Sequence, residues 1–280
     1  MSSNPLSFLA SPAGLQKLEA AKADLDLSFA AIAKLAGVSA DTVSQLFHPE
    51  QGKRLSEASL VAIAQVLAVK PEDIVVEADH ENHEEFIVAQ KLIQEAIDNK
   101  DTELDLSALE LIAVPKELGQ LSQLTLLDLS DNQLTSLPTE LGQLQNLTDL
   151  RLDQNQLNAV PKEVGQLNKL IYLNLSQNQL NAVPKELEQL SNLKDLNLSQ
   201  NQLSAVPKEL EQLSNLKDLN LSQNQLNAIP KEIRQLSNLT SLDLSQNQLN
   251  AIPKELGQLN KLTSLSLGHN QLIAVPKELG

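Results

Sequence analysis

The sequence predicts an α/β solenoid, in which a curved parallel sheet lines the concave face, preceded by an all-α domain. Two observations predict this fold class. From residue 101 onward, a 23-residue unit returns to the end of the 280-residue chain, and so short a period is typical of stacked copies of one unit. Before residue 77, apolar residues instead recur at the spacing of three and four that is typical of helices.

The composition makes the chain acidic, with a formal net charge of −15. Residues 1–77 hold 6 Lys and Arg against 9 Asp and Glu, or −3, and residues 78–280 hold 15 against 27, or −12. An acidic chain is a poor general nucleic-acid binder, because neutralised phosphates provide most of the non-specific affinity. We therefore expect a protein ligand with a basic surface.

Cysteine is absent from the sequence. This excludes disulfides and thiolate metal sites, and it fits the reducing cytoplasm, where we expect the protein to be. No run of about 18 apolar residues occurs, and the start, MSSNPLSFLASPAG, lacks the charged region of a signal peptide. We expect no membrane partner.

The first 77 residues are predicted to be a flexible tail, residues 1–10, followed by a helical domain over residues 11–77. Glycine and small polar residues mark where its helices begin and end. The first predicted helix has Leu15, Leu18, Ala21 and Leu25 on one stripe, and the second spans residues 28–36 with Leu35 on its apolar side. The third helix runs from the Ser39 cap to Phe47. A fourth helix follows the Ser56 cap, and a short fifth helix starts at Pro71.

Ala31 to Phe47, AIAKLAGVSADTVSQLF, resembles the helix-turn-helix of phage-repressor-type domains, with Gly37 at the turn. The wider run through Val75 looks like modules that head longer cyanobacterial proteins. The resemblance implies that the third helix would contact bases and its surroundings phosphates. The candidate DNA-contacting residues are Ser39, Thr42, Ser44, Gln45, Lys53 and Arg54.

The same helix differs from the recognition helix of a DNA-binding domain, because Asp41 brings a negative charge and few basic residues lie near it in the sequence. Tight binding at physiological salt requires several phosphate contacts. We expect the module to be a protein-docking or dimerising unit. The alternative is a transcription regulator that binds DNA as a dimer while the repeats sense a protein partner.

A polar linker, residues 78–83, leads to an amphipathic helix over residues 84–100. Phe86, Ala89, Ile93 and Ala96 recur there at helical spacing. The first coil of a solenoid has a bare apolar end, so we interpret this helix as its N-terminal cap.

Residues 101–280 hold eight copies of the repeat, the last one incomplete. In the copy that starts at Leu124, which defines position one, Leu127 and Leu129 alternate like a short strand and face the core. The amide of Asn132 can bond backbone groups that would otherwise be buried without partners. Its equivalents would form a structural ladder of Asn132, Asn155, Asn178, Asn201, Asn224, Asn247 and Asn270.

The pattern LxxLxLxxNxLxx(L/V/I)P in residues 101–280 resembles the leucine-rich repeat of bacterial proteins. The resemblance implies a curved solenoid with a parallel sheet on its concave side, where that family mostly binds proteins.

Positions three, five and seven of each strand point away from the core, and we call the surface they form the inner face. Tyr172 beside Arg151 is the predicted anchor pair, since Tyr and Arg are enriched in binding hot spots. Copies 193–215 and 216–238 differ only at residues 204, 206, 210 and 211 of the first copy. Because neighbouring copies are so similar, we expect a generic or periodic partner. The candidate partner-binding residues are Asp128, Asp149, Arg151, Asp153, Tyr172, Asn174, Asp195, Asn197, Asp218, Asn220 and Asp243.

Carboxylates on neighbouring strands would suit a hydrolase or a calcium site, but an open arc offers no pocket in which polar groups converge. His80 and His83 lack a third metal ligand. We therefore predict an interaction scaffold that is not an enzyme and has no cofactor or metal.

The last copy stops at Gly280, four residues short of 23. Its open end should expose part of the leucine core. Either the chain is a fragment, or this end packs against another molecule. A homodimer could therefore form through this end or through the helical domain.

Overall fold

A computed structural model of the chain describes residues 7–8, 18–23, 25, 27–47, 55–69 and 84–279. The chain divides into two compact units, Met1–His83 and Glu84–Gly280.

The first unit contains helices α1 (Phe29–Ala36), α2 (Ala40–Phe47) and α3 (Glu57–Val66), and residues 18–23 are also helical. Ser28 caps α1, because its side chain accepts a hydrogen bond from the Ala31 N–H at 3.2 Å. Gly37, with a φ of 68°, ends α1 in the left-handed conformation that glycine adopts without steric cost.

Helix α2 starts at a serine cap, since Ser39 Oγ accepts from the Thr42 N–H at 3.0 Å. Residues from all four helical segments form one apolar core, and the Phe29 and Phe47 rings lie 4.9 Å apart. The buried members are Leu18, Ile32, Ala33, Val43, Leu46, Phe47, Ile63, Ala64 and Leu67.

The first unit differs from the prediction in two respects. Strand β1 (Ser7–Phe8), within the predicted tail, pairs antiparallel with β2 (Leu55–Ser56). Leu25 and Leu35 are 48% and 65% exposed, because the core faces of the helices point elsewhere. The predicted fifth helix, from Pro71, lies outside the described residues, as does the linker 78–83.

Helix α4 (Glu84–Asn99) opens the second unit. Its residues Ala89, Ile93 and Ala96 are buried in the same core as the leucines of the repeats. The helix packs against the 3-10 helix Lys116–Gln120 of the first repeat. No helix among the described residues is both long enough and apolar enough to cross a membrane.

Eight three-residue strands form one parallel sheet in chain order, which confirms the predicted parallel sheet. Equivalent residues of consecutive repeats face each other, as Leu127 faces Leu150. The strands are β3 (Glu103–Asp105), β4 (Leu126–Asp128), β5 (Asp149–Arg151), β6 (Tyr172–Asn174), β7 (Asp195–Asn197), β8 (Asp218–Asn220), β9 (Ser241–Asp243) and β10 (Ser264–Ser266).

A short 3-10 helix forms the opposite side of each coil and starts directly after a proline, such as Pro138 with a φ of −68°. Proline fixes this φ and has no N–H that would need a partner at a helix start. The 3-10 helices are Lys116–Gln120, Thr139–Gln143, Lys162–Gln166, Lys185–Gln189, Lys208–Gln212, Lys231–Gln235, Lys254–Gln258 and Lys277–Leu279.

The core lies between the sheet and the 3-10 helices. Leu127 and Leu129 on the strand side and Leu141 and Leu144 on the helical side have no exposed surface. In the last repeat the leucines are only partly buried, and Ile273 is 92% exposed.

Candidate functional site

The asparagine at position nine of each repeat holds two consecutive coils together. Asn201 Nδ2 donates to the Leu175 carbonyl of the preceding coil at 2.9 Å and to the Leu198 carbonyl of its own coil at 3.2 Å. Its Oδ1 accepts from the Leu180 N–H at 2.9 Å. The asparagines thus bond backbone groups rather than one another, which leaves none of these buried groups unpaired. The same bonds recur at Asn132, Asn155, Asn178, Asn224, Asn247 and Asn270.

The residue before each of these asparagines has a positive φ, for example 54° at Gln200. This left-handed conformation turns the chain away from the sheet directly after the strand, although side chains other than glycine adopt it at a cost. The sequence signal is weak, because five of the seven residues are glutamine, a type that is not enriched in the left-handed conformation, and only Asp131 and His269 are of enriched types. The residues are Asp131, Gln154, Gln177, Gln200, Gln223, Gln246 and His269.

Because of this turn, positions three and five form most of the inner face, and position seven contributes less to it. The serines at position seven that we assigned to it, Ser176, Ser199 and Ser222, are buried. Asp153, at the same position, is partly buried. Ten of the eleven candidate partner-binding residues lie on the three-residue strands, namely Asp128, Asp149, Arg151, Tyr172, Asn174, Asp195, Asn197, Asp218, Asn220 and Asp243.

Hydrogen bonds from position seven orient the side chains of position five. Asn197 Oδ1 accepts from the Ser199 N–H at 3.0 Å, and Asn220 Oδ1 accepts from the Ser222 N–H at 2.9 Å. With Oδ1 engaged, the orientation of each amide is set before a partner arrives, which lowers the entropy cost of binding. Asp105, Asp128, Asn174 and Asp243 have the same arrangement.

Arg151 is not a free cation. The strand register places it opposite Asp128, and Arg151 Nη1 lies 3.2 Å from Asp128 Oδ2. The Arg151 side chain remains 45% exposed, whereas that of Asp128 is 13% exposed. Asp128 therefore compensates the charge of Arg151, the only arginine of the inner face, while part of the arginine side chain remains accessible to solvent.

Tyr172 lies directly across from Asp149, and Arg151 lies diagonally from it on the same adjacent strand, within electrostatic reach of the tyrosine. Its ring is half-buried. Burial raises the pKa of the Tyr172 hydroxyl above its ordinary value, and the nearby Asp153 carboxylate adds to the effect. Tyr172 therefore remains a neutral hydrogen-bonding aromatic on the inner face.

Asp153 at position seven and Asp195 at position three also have raised pKa values. Burial raises the pKa of Asp153, whose Oδ1 accepts from Asn174 Nδ2 at 2.8 Å. Burial also raises the pKa of Asp195, helped by the hydrogen bond and charge of Asp218 on the adjacent strand. Among the described residues, no group of three or more His, Cys, Asp or Glu side chains could hold a metal ion.

The family profile described as a leucine-rich repeat region matches residues 104–223, and a second leucine-rich repeat profile matches residues 201–249 and 214–272. The chain is a leucine-rich repeat protein. No curated protein matches it significantly.

Solved structures of other leucine-rich repeat proteins resemble the chain. A leucine-rich repeat protein of Leptospira interrogans is 36% identical with a TM-score of 0.54, over 66% of this chain and 60% of its own. The ectodomain of the Arabidopsis thaliana receptor kinase GASSHO1/SCHENGEN3, in complex with CASPARIAN STRIP INTEGRITY FACTOR 2, is 42% identical with a TM-score of 0.53, over 57% and 20%. The plant peptide hormone receptor RGFR1, in complex with RGF2, is 33% identical with a TM-score of 0.53, over 64% and 34%. The chain thus spans less than two thirds of each of these proteins.

A second ladder of the leucine-rich repeats was missed by the sequence analysis. Asparagines at position 23 donate to the carbonyl 24 residues earlier, as Asn146 Nδ2 does to Ser122 at 2.7 Å. Where lysine replaces asparagine, its ammonium group donates to the preceding asparagine, as Lys169 does to Asn146 Oδ1 at 2.7 Å. Their recurrence every 23 residues was the available signal. The other members are Asn192, Asn215, Asn238 and Lys261.

The candidate DNA-contacting residues of the first unit are only partly described. The Ser39 and Thr42 hydroxyls lie 2.7 Å apart and bond each other at the start of α2, and Ser44 lies on the same helix. The side chain of Gln45 and all of Lys53 and Arg54 lie outside the described residues.

Proposed function

We propose that the leucine-rich repeats bind a protein or peptide partner on the inner face, and that the chain is an intracellular interaction scaffold. One observation carries the proposal. The eight-stranded sheet presents two rows of mostly polar and charged side chains, at positions three and five, and hydrogen bonds from position seven orient most of the side chains at position five. A preorganised open surface of this kind suits a macromolecule better than a small ligand, which needs a concave pocket.

The structural neighbours support a protein or peptide partner. GASSHO1/SCHENGEN3 is solved with CASPARIAN STRIP INTEGRITY FACTOR 2, and RGFR1 is solved with RGF2. The leucine-rich repeat is generally an interaction fold rather than a catalytic one, which is why we infer a non-enzymatic role.

The charge of the inner face indicates a partner with a basic surface. Its carboxylates include Asp149, Asp195, Asp218 and Asp243, whereas Arg151 is already paired with Asp128. Complementary charge speeds association and excludes partners of like charge.

We infer that the helical unit docks or dimerises. The DNA-binding alternative remains a hypothesis, and the described residues favour it less. The hydroxyls of Ser39 and Thr42 already bond each other, so they would have to exchange that bond for a phosphate.

The test is photo-crosslinking in cells that express the full chain. The photoreactive residue p-benzoylphenylalanine replaces Asn174 or Asn197 on the inner face, or, as controls, the exposed Glu188 or Lys208 on the 3-10 helices. We expect covalent protein adducts from the two inner positions and none from the controls. Adducts only from the 3-10 helices would show that the partner binds elsewhere and contradict the proposal.

A further inference from the structure

One carboxylate of the inner face lies between a leucine and a tyrosine side chain. At position three, Leu126, Asp149 and Tyr172 face one another across strands β4, β5 and β6. Adjacent strands are about 4.8 Å apart, so the three side chains form a continuous strip, which we call the Leu126–Tyr172 row. Leu126 and Tyr172 are half-buried. Position three of the other repeats holds only acidic or serine residues, namely Glu103, Asp195, Asp218, Ser241 and Ser264.

The carboxylate at the centre of the row is held in place but lacks a cation. The Thr148 hydroxyl lies 2.7 Å from Asp149 Oδ2, which restrains the group. Arg151, two residues further along β5, is held by Asp128 instead. Within the described part of the chain, no lysine or arginine forms an ion pair with Asp149.

The charge around the row is mostly negative. Glu103 and Asp105 on β3 face Leu126 and Asp128, and Asp153 and Asp195 lie within electrostatic reach of the Tyr172 hydroxyl. Arg151 lies within the same reach, but Asp128 pairs with it. A cationic side chain that enters the row would therefore be attracted to Asp149 by the surrounding field as well as by direct contact.

We propose that the Leu126–Tyr172 row binds an arginine side chain of the partner. This inference rests on the proposed function and deepens it. The methylene stem of the arginine covers Leu126, its guanidinium pairs with Asp149, and its plane stacks on the Tyr172 ring. Lysine could pair with Asp149, but it has no planar group to stack on the tyrosine, so the row selects arginine.

The shape of the surface limits how the arginine is presented. The row lies on an open sheet whose neighbouring side chains are polar and oriented, such as Asn174 beside Tyr172 on β6. An arginine in an extended segment with small neighbours can approach such a surface, and it orders fewer side chains on binding than a bulky segment would. The partner is therefore an extended segment with arginine between small residues.

The experiment uses the full chain and two fluorescein-labelled peptides, Gly-Ser-Gly-Arg-Ser-Arg-Gly-Ser-Gly and the same peptide with lysine in place of arginine. Affinities are measured by fluorescence anisotropy at about 150 mM salt, where distant charges are screened. We expect the arginine peptide to bind about three- to fivefold more tightly, which corresponds to a stacking contact at an exposed site. Equal affinities for the two peptides would overturn the proposal.

Three variants locate the effect. Asp149→Asn should weaken both peptides, because each loses its counter-charge. Tyr172→Ala should remove the preference for arginine, whereas Tyr172→Phe, which keeps the ring and the packing, should retain it. A preference that survives Tyr172→Ala would overturn the proposal.

Asp243→Asn is the matched control. Asp243 is also an inner-face carboxylate, but Asn220 and Ser266 flank it across the adjacent strands instead of a leucine and a tyrosine. Its loss should weaken both peptides much less than Asp149→Asn does, because only general charge attraction is lost. An effect as large as that of Asp149→Asn would show that general charge attraction explains the binding and would overturn the proposal. If crosslinked adducts form at Asn197 but the peptide titration shows no preference for arginine, only this inference is refuted. The absence of adducts at every inner position would refute the proposed function itself.

Discussion

Asparagine at position nine fits its place because one short side chain provides both a donor and an acceptor. Asn201 has Nδ2 contacts to carbonyls of two coils and an Oδ1 contact to one N–H, all within 3.2 Å. Alanine would leave these backbone groups buried without partners, and aspartate would present an oxygen to carbonyl oxygens. Each residue of the ladder therefore joins two coils at a point where the leucine core alone provides no polar partner.

Asn201→Ala should lower the free energy of unfolding by about 1–3 kcal/mol, the usual cost of unpaired buried polar groups. Asn201→Asp should cost at least as much, although it preserves the volume, because it loses the donor and buries a charge. Urea unfolding of the full chain, followed by circular dichroism, measures both.

Gln202→Ala is the control for the ladder, since Gln202 is the exposed neighbour of Asn201. Its effect should stay within about 0.5 kcal/mol. Equal unfolding midpoints for Asn201→Ala and Gln202→Ala would show that the ladder does not stabilise the array.

Among the elements, the 3-10 helices pack most closely where a glycine occupies their fourth residue. A Cβ added at Gly165 would lie 2.7 Å from Glu186 Cβ on the next 3-10 helix and closer still to the Glu186 carbonyl oxygen. The following repeats carry Glu188, Glu211 and Arg234 at this position. The close approach is therefore a property of particular neighbouring coils rather than of the repeat in general.

Gly165→Ala should destabilise the array by about 1–3 kcal/mol, because the new methyl group forces the Glu186 backbone to move. Glu188→Ala, at the same position of the next repeat, already has room for a Cβ and should change stability by about 0.5 kcal/mol or less. Thermal unfolding of both variants measures the difference. Similar midpoints would mean that the neighbouring coil moves aside without cost.

At the scale of the whole molecule, each coil of the second unit contacts only its neighbours along the sheet. Stability in such arrays is a sum of local terms, so damage at one end is expected to remain near that end. Helix α4 shields the first coil, and Ile93 on it is fully buried, while Ile87 on the same helix is 39% exposed.

Ile93→Ala should cost about 2–5 kcal/mol by leaving a cavity beneath the cap. Hydrogen exchange followed by mass spectrometry should show faster exchange in β3 and β4 and unchanged exchange in β9. Ile87→Ala, which removes a similar side chain from the exposed side of the helix, should leave every strand unchanged. Uniformly faster exchange in Ile93→Ala would show that the array opens as one cooperative unit.

The 23-residue period of the sequence determined the solenoid, the parallel sheet and the position of each asparagine. A repeated unit with a fixed apolar pattern has few ways to bury its leucines other than stacking in register. The sequence thus specified which residues lie on the sheet, and it also indicated the amphipathic helix before the first coil. It did not specify the left-handed residue before each asparagine, because five of the seven are glutamine, which carries no turn preference.

Only the tertiary structure decided which side chains of different repeats meet. The register places Arg151 against Asp128, and Tyr172 against Asp149, although each pair is 23 residues apart in the chain. The turn after the strand buries Ser176, Ser199 and Ser222 at position seven, which simple alternation assigned to the inner face. Periodicity determines the direction of a side chain within one coil, whereas ion pairing, burial and the Leu126–Tyr172 row depend on contacts between coils.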